Sequence, residues 1–595
     1  MSLENNKYEL YGVPDQESYI YNNFFWFFKK IPRWLLVLSL LVLAYLYHFS
    51  IHGELGGVGG DNAYYIAHAK AIASAQGIES IIYTDPVTSS NLVASDSYLC
   101  GYLSLMLPFL LAPGVLKHGL NLYYMHFVIY LVSLTVPILV FYLFRRRVGD
   151  VRAFLYTALF STTHLYLIFM VDILTENLFI ALVFACFLIL EKYQRSKRIL
   201  SPWLFATIIA CFAVIITRRP GLVMPVAVAL SLLTSAPISG AWRGNLKKAA
   251  AFAGIIGALI IVWGIIIYLV ILNNLQDVNK VDLDTSQMFF QSLRSAVSYL
   301  RSTSRIFLYQ GHVFPGAMHE TGFWILLVIA LGFIVDFARH RNIMGWFFLV
   351  YAILLLFWNA NRSRYLIPVA PLLFFYFFEG LLLIMKWSDR AWLRWFEKIP
   401  RKSIAQLIYI GFFILFFSYH IVGVVKWHRI VNSEPWNALG ETVPLPTDQI
   451  TIDWSKFRES HSWATRDDGM KELILAQEFF SLVKKTRDLT DSTDFIMSAK
   501  PRITYVLTGR KSTWLPKKIE PRTFMDLIEK HKINFIIYSQ FHQEKTLIAK
   551  KAAQEYPDCF EIIWNSGIKD GKIYRVRHTC NALKESLSSQ SGSEK

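Results

Sequence analysis

Apolar residues in this chain gather into long unbroken runs, with polar residues collected between them. The runs fall at about 34–51, 121–144, 151–171, 176–191, 201–217, 221–238, 249–272, 322–338, 343–358, 365–386 and 404–425. Their lengths approach or exceed the roughly 20 residues that a helix needs to cross a bilayer. Only helices and closed barrels keep every backbone polar group satisfied there. The pattern predicts a polytopic α-helical membrane protein of about eleven spans. After residue 426 the pattern changes. Short period-2 stretches, DFIMS (494–498), INFIIY (533–538), CFEIIW (559–564) and KIYRVR (572–577), alternate with helical patterns at 471–487 and 542–556. That alternation predicts a soluble α/β domain. Three parts result: an N-terminal segment 1–33, a membrane domain 34–425 and a C-terminal domain 426–595. The end of the last, SLSSQSGSEK, has the composition of a disordered tail.

Charge then sets an orientation. The net charge is +17, which in a soluble protein would suggest nucleic acid. Here basic cytoplasmic loops account for it, and no nucleic-acid partner is expected. Lys29 and Lys30, Arg145 to Arg147, Lys192 to Arg198, Arg243 to Lys248, Arg339 and Arg341, and Lys386 to Lys402 all fall on one side of the membrane if the runs are counted as above. The count holds only if YLCGYLSLMLPFLLAPGVL (98–116), interrupted by Pro108 and Pro113, is a juxtamembrane or re-entrant element. The N-terminus is then cytoplasmic and the first run a signal anchor. Outside lie the loop 52–120, the loop 273–321 and everything after 426. Cys186 and Cys211 fall in apolar runs, as inert core. Cys559 and Cys580 could pair if the tail sits in an oxidising compartment.

The first outer loop contains GGDNAYYIAHAKAIASAQG (59–77). Asp61 follows two glycines and precedes a short helix ending at Gly77. One reading is an N-cap, the Asp61 carboxylate accepting from first-turn amides. The other is a general base whose pKa is raised near a low-dielectric surface. The two are compatible. This stretch resembles the first outer loop of the GT-C glycosyltransferases, and more narrowly the bacterial branch of protein O-mannosyltransferases and lipid A aminoarabinose transferases. DILTENLFIALVF (172–184), ITRRPGLVMP (216–225), NRSRYLIPVAPLLFF (361–375) and DFIMSAKPRITYVLTGR (494–510) resemble the same group. No WWD-type signature of oligosaccharyltransferases is present. The resemblance implies that Asp61 is the catalytic base.

Other candidates surround this acid. Asp172 and Glu176, spaced i, i+4, open the fourth run; they suit a helix start, support of the acceptor, or, with Asp61, a divalent metal site. His68 is a further candidate for support, with His52 and His164 near the same surface. Arg218 and Arg219, then Arg294, Arg301 and Arg305, then Arg362 and Arg364 lie on the outer face, where positive charge is usually sparse. Three such clusters fit one shared anion, since guanidinium groups bind phosphate oxygens bidentately. Tyr64, Tyr65 and Tyr365 are candidates for packing on the sugar or the phosphate, or interfacial belt residues.

The resemblance implies a polyprenyl-phosphate-linked sugar donor in the lipid bilayer, an acceptor in the bacterial cell envelope (a glycan, lipid or protein), and inversion at the anomeric carbon. It places the enzyme in the bacterial cytoplasmic (inner) membrane with its tail domain capping the active site from the periplasm. Rival readings are a lipid-linked-substrate transporter or flippase, which would want ionisable residues near the midplane, and a polymer ligase with a lipid-pyrophosphate donor.

Overall fold

The computed structural model describes residues 31–51, 60–74, 104–119, 121–171, 173–234, 242–274, 299, 303, 306–307, 318–357, 363–392, 411–422, 443–444, 451–452, 469–516, 519–541, 543–566 and 570–580. The apolar runs become helices: α1 (Arg33–Ile51), α4 (Leu122–Val148), α7 (Glu176–Arg195), α8 (Pro202–Thr217), α9 (Val223–Thr234), α10 (Trp242–Asn274), α11 (Met318–His340), α12 (Ile343–Phe357) and α13 (Ala370–Trp392). Between α1 and α4 lie α2 (Gly60–Ala73) and α3 (Met106–His118). With 13 residues, α3 spans about 20 Å, short of a bilayer core.

One run behaves differently from expectation. The run 151–171 is broken into α5 (Asp150–Ser161) and α6 (His164–Val171). At the break the Thr162 hydroxyl donates to the Leu159 carbonyl (2.9 Å) and the Thr163 hydroxyl to the Phe160 carbonyl (2.8 Å). Such bonds compete with the helical ladder. Of the eleven expected spans, four are helices long and apolar enough to cross a membrane among the described residues: Tyr124–Val148, Gly244–Ile266, Thr321–His340 and Arg364–Met385. Shorter apolar helices are Arg33–Leu46, Pro202–Thr217, Arg219–Thr234, Ile343–Leu356 and Gly411–Val422.

Helix α7 is the buried centre, packed against α4 and α8. One end of it is a web of ion pairs. Glu191 meets Arg146, Arg147 and Arg195, while Asp150 meets Arg33 and Arg145. The Lys248 ammonium closes the helix by donating to the carbonyls of Tyr193, Gln194 and Ser196. Thus Arg145, Arg146, Arg147, Arg195 and Lys248, from three of the basic clusters, lie together at one end of the bundle. Glu176 begins the other end, about 22 Å away along the helix.

The C-terminal domain holds α14 (Gly469–Leu489), α15 (Pro501–Thr508), α16 (Pro521–Lys530) and α17 (Gln543–Glu555) around a sheet ordered β4-β3-β5-β7-β6. Its strands are β3 (Phe495–Ser498), β4 (Lys511–Trp514), β5 (Phe535–Tyr538), β6 (Phe560–Asn565) and β7 (Lys572–Val576). A small hairpin, β1 (Val443–Pro444) with β2 (Thr451–Ile452), precedes them. Strands β3, β4 and β5 run parallel, and β7 and β6 add antiparallel pairs. Alternate residues face opposite layers. Met497, Ile536 and Tyr574 join one core with Phe524, Ile528 and Ile548 of α16 and α17. Ile496, Ile537 and Ile573 join Phe479, Val483 and Ile503 of α14 and α15 in a cluster continuous with the membrane core. Cys559 and Cys580 are joined in a disulfide. Cys186 and Cys211 are free and buried.

Helices α11 and α13 cross closely through glycine. A Cβ on Gly332 would lie 2.0 Å from the Tyr376 carbonyl oxygen, and one on Gly380 would lie 2.1 Å from that of Val328. Small residues permit such backbone approach between membrane helices. Gly332→Ala or Gly380→Ala should therefore destabilise by about 1–3 kcal/mol, as overpacking does. Gly257→Ala, whose Cβ would meet nothing within 4 Å, should hold or raise stability. Thermal melts in detergent check this; equal melting temperatures for all three contradict the crossing.

Candidate functional site

At the end of the bundle away from that web, a carboxylate is buried between two guanidinium groups. Glu176 occupies the first turn of α7 and is wholly buried. A carboxylate there gains from the positive end of the helix dipole. Helix α8 ends at Thr217, and Arg218 is extended (φ −156°, ψ 148°) before a 3-10 turn, Arg219–Leu222. Gly221 lets that turn press back on α8, since a Cβ there would sit 2.3 Å from the Val214 carbonyl oxygen. The reversal carries Arg218 inward, and its Nη1 lies 2.6 Å from Glu176 Oε1. Arg364, from a 3-10 segment Ser363–Val369 that leads into α13, brings its Nε to 3.1 Å of the same oxygen.

The surrounding tyrosines organise this triad. Both guanidinium groups face the Tyr365 ring, at 5.6 Å for Arg218 and 5.8 Å for Arg364. The Tyr351 hydroxyl donates to the Tyr365 carbonyl at 2.9 Å, holding that backbone. Burial acts most strongly against the Arg218 charge, but Glu176, with Tyr65 and Tyr351, outweighs it and its pKa is raised. Two guanidinium groups thus converge on one carboxylate oxygen. Burying ions is costly unless they are paired, and guanidinium donors gathered in this way also suit phosphate oxygens.

The first-loop helix is tied to the same end. Helix α2 is buried from Asn62 to Ala69 and packs against α3 and α15. The hydroxyls of Tyr65 and Thr175 are hydrogen-bonded at 3.2 Å. Thr175 makes no side-chain cap to α7; its hydroxyl serves this contact instead. Tyr64 meets Tyr65 and His68 edge-on, at 5.4 and 4.1 Å. Burial, followed by the charge of Arg502, lowers the His68 pKa to about 3. His68 is therefore neutral at physiological pH.

Asp61 falls inside the first turn of α2, one helical turn before Tyr65, not ahead of the helix as the N-cap reading requires. The helix ends at Ala73, and Gly77 lies outside the described residues. The Asp61 side chain also lies outside what the structure describes. So do Asp172, Arg294, Arg301, Arg305, Arg362, His52 and the side chain of His164. Arg219 begins the 3-10 turn and is half-buried; among the described residues, Arg218 and Arg364 are the cations on Glu176. Tyr64 and Tyr65, proposed to pack on substrate, are mostly engaged in protein packing.

No group of three His, Cys, Asp or Glu residues placed to hold a metal occurs among the described residues. Asp61 and Asp172, the other two acids of the expected metal site, lie outside what the structure describes, and Glu176 Oε1 is held by two guanidinium groups. Sequence reading missed Tyr351, a polar tip inside an apolar run, and Arg502, which had appeared only within a resemblance stretch.

No protein-family model matches the chain. No curated protein matches it by sequence. Among solved structures, apo ArnT from Cupriavidus metallidurans is similar with a TM-score of 0.50 at 11% identity, covering 91% of this chain and 97% of ArnT. ArnT bound to undecaprenyl phosphate gives 0.47 at 12% over the same shares. The apo Archaeoglobus fulgidus oligosaccharyltransferase gives 0.46 at 13%, covering 84% of this chain and 69% of its own. The fold is that of the GT-C membrane glycosyltransferases. At this identity the GT-C likeness carries the fold and no residue correspondence.

Removing the carboxylate should unbalance the triad. Glu176→Gln leaves the buried Arg218 and the partly exposed Arg364 without this anion and should cost about 3–5 kcal/mol of stability. Glu176→Gln paired with Arg364→Gln should recover part of that loss. Chemical or thermal unfolding in detergent measures both; a wild-type midpoint for the single variant would contradict the pairing.

Proposed function

We propose that the protein is an inverting glycosyltransferase that moves a sugar from a polyprenyl-phosphate donor to a cell-envelope acceptor at the outer face of the cytoplasmic membrane. The observation carrying this reading is the Arg218–Glu176–Arg364 triad, two guanidinium groups brought to one point and tied through Thr175 and Tyr65 to the helix that bears Asp61. ArnT, whose fold the chain shares, has been seen holding undecaprenyl phosphate. The Cys559–Cys580 disulfide supports a C-terminal domain in an oxidising compartment. The ion pairs gather at the two ends of the helices, which favours an enzyme over a transporter with ionisable groups at the midplane.

The chemistry follows from these parts. The donor phosphate meets Arg218 and Arg364, with Arg219, Arg362 and the arginines of the 273–321 loop as further partners. Asp61 accepts the proton of the acceptor hydroxyl as its oxygen attacks the anomeric carbon. The new C–O bond forms as the bond from that carbon to the phosphate oxygen breaks, and the electron pair leaves with the phosphate. The guanidinium groups stabilise the charge that develops there. Attack from the opposite face inverts the anomeric configuration. His68, neutral and enclosed, supports the fold of α2 and carries no proton in this scheme.

Incubating purified protein with radiolabelled polyprenyl-phosphate sugars and membrane extract tests the reading. Asp61→Asn should lower transfer by about 10²-fold or more, the scale of a lost general base, while still binding the lipid donor. Equal turnover by wild type and Asp61→Asn would remove Asp61 as the base.

A further inference from the structure

Helices α2 and α15 come from opposite ends of the sequence, yet they pack together. Each offers the other one cation and one tyrosine. The Arg502 guanidinium of α15 lies over the Tyr64 ring of α2, 4.8 Å from its centroid. The Lys70 ammonium of α2 lies over the Tyr505 ring of α15, at 5.6 Å. Both distances fall within the range where ring quadrupoles attract cations. Tyr64 and Lys70 are about two turns apart on α2, and Arg502 and Tyr505 about one turn apart on α15, so the contacts brace α2 at two points.

This brace sits where a carboxylate-bearing helix needs fixing. Tyr64 is the neighbour of Tyr65, whose hydroxyl meets Thr175 beside the buried triad. Tyr64 also packs on His68, whose pKa the Arg502 charge helps to lower. The ring of Tyr64 is thereby held on one side by His68 and on another by Arg502. Helix α15 is itself anchored in its domain. Ser498, at the end of β3, shares a hydrogen bond with Thr504 at 2.8 Å, and Ile503 enters the cluster continuous with the membrane core.

We propose that Arg502 and Lys70 form a crossed cation–π clamp through which the C-terminal domain positions α2, and with it Asp61, so that this domain completes the active site. Arg502 is a positioning residue, acting through Tyr64 and α2 and not on substrate. The role assigned to Asp61 rests on the function proposed above; the clamp itself does not.

The test combines hydrogen exchange with kinetics on the full-length protein in detergent or nanodiscs. Arg502→Leu keeps bulk and removes charge; Arg502→Lys keeps charge. Arg502→Leu should speed amide exchange in α2 about tenfold, on the scale of a lost enclosed cation–π contact, with β3, β5 and β7 unchanged. It should lower kcat with little change in the donor KM, and Arg502→Lys should restore part of both effects. Unchanged α2 exchange in Arg502→Leu overturns the clamp. Faster exchange through the whole C-terminal domain, with no rescue by lysine, also overturns it by making Arg502 a general stabiliser. Faster α2 exchange with unchanged kcat overturns the positioning role. Faster α2 exchange in a protein whose wild type transfers no sugar upholds the clamp and refutes the function proposed for the site.

Discussion

A buried carboxylate held between two guanidinium groups is the constraint on which one end of the helix bundle depends. Glu176 cannot remain ionised and wholly enclosed unless cations reach it. Arg218 reaches it because α8 stops at Thr217 and a 3-10 turn with Gly221 folds back. Arg364 reaches it because α13 is preceded by a second 3-10 segment. The interruptions in the helical pattern therefore have a common purpose: each delivers a long basic side chain to the start of α7. Tyr365, Tyr351 and Tyr65 then fix the geometry around the triad.

The rest of the architecture can be read from the two ends of α7. At one end, Glu191 and Asp150 gather arginines from α1, α4 and α7. At the other, a single carboxylate faces two arginines. The first end is a stabilising web for a basic face; the second brings two guanidinium groups to one point. The C-terminal domain joins that second end through α15, and its apolar layer runs into the membrane core. Under the proposed function, the guanidinium groups bind the donor phosphate and α2 supplies the base.

Much of the fold was legible because hydrophobic periodicity is local. Most apolar runs became helices within a few residues of their expected ends, and the strands at 495–498, 560–565 and 572–576 follow the period-2 pattern. Strand β4 was missed because KSTW has no apolar alternation and lies at the sheet edge. The break at Thr162 and Thr163 was missed because hydroxyl-to-backbone bonds leave no mark on hydropathy. At the site, residue types were legible but pairings were not. Glu176, Arg218 and Arg364 were each singled out, yet nothing local says that they meet, since their contact is set by how distant spans pack. For the same reason Arg502 was not singled out within the stretch 494–510.

The most direct measurement of this account is a thermal shift with polyprenyl phosphate against the uncharged polyprenol of the same length. The converging guanidinium groups predict that the phosphate lipid stabilises the wild-type protein, by about 2.7 kcal/mol at a concentration near one hundred times Kd, and that the alcohol adds little. They also predict that the difference shrinks sharply in Arg364→Gln, which removes one of the two guanidinium groups. Equal stabilisation by the two lipids, or an undiminished phosphate preference in Arg364→Gln, would contradict a phosphate site built on this triad.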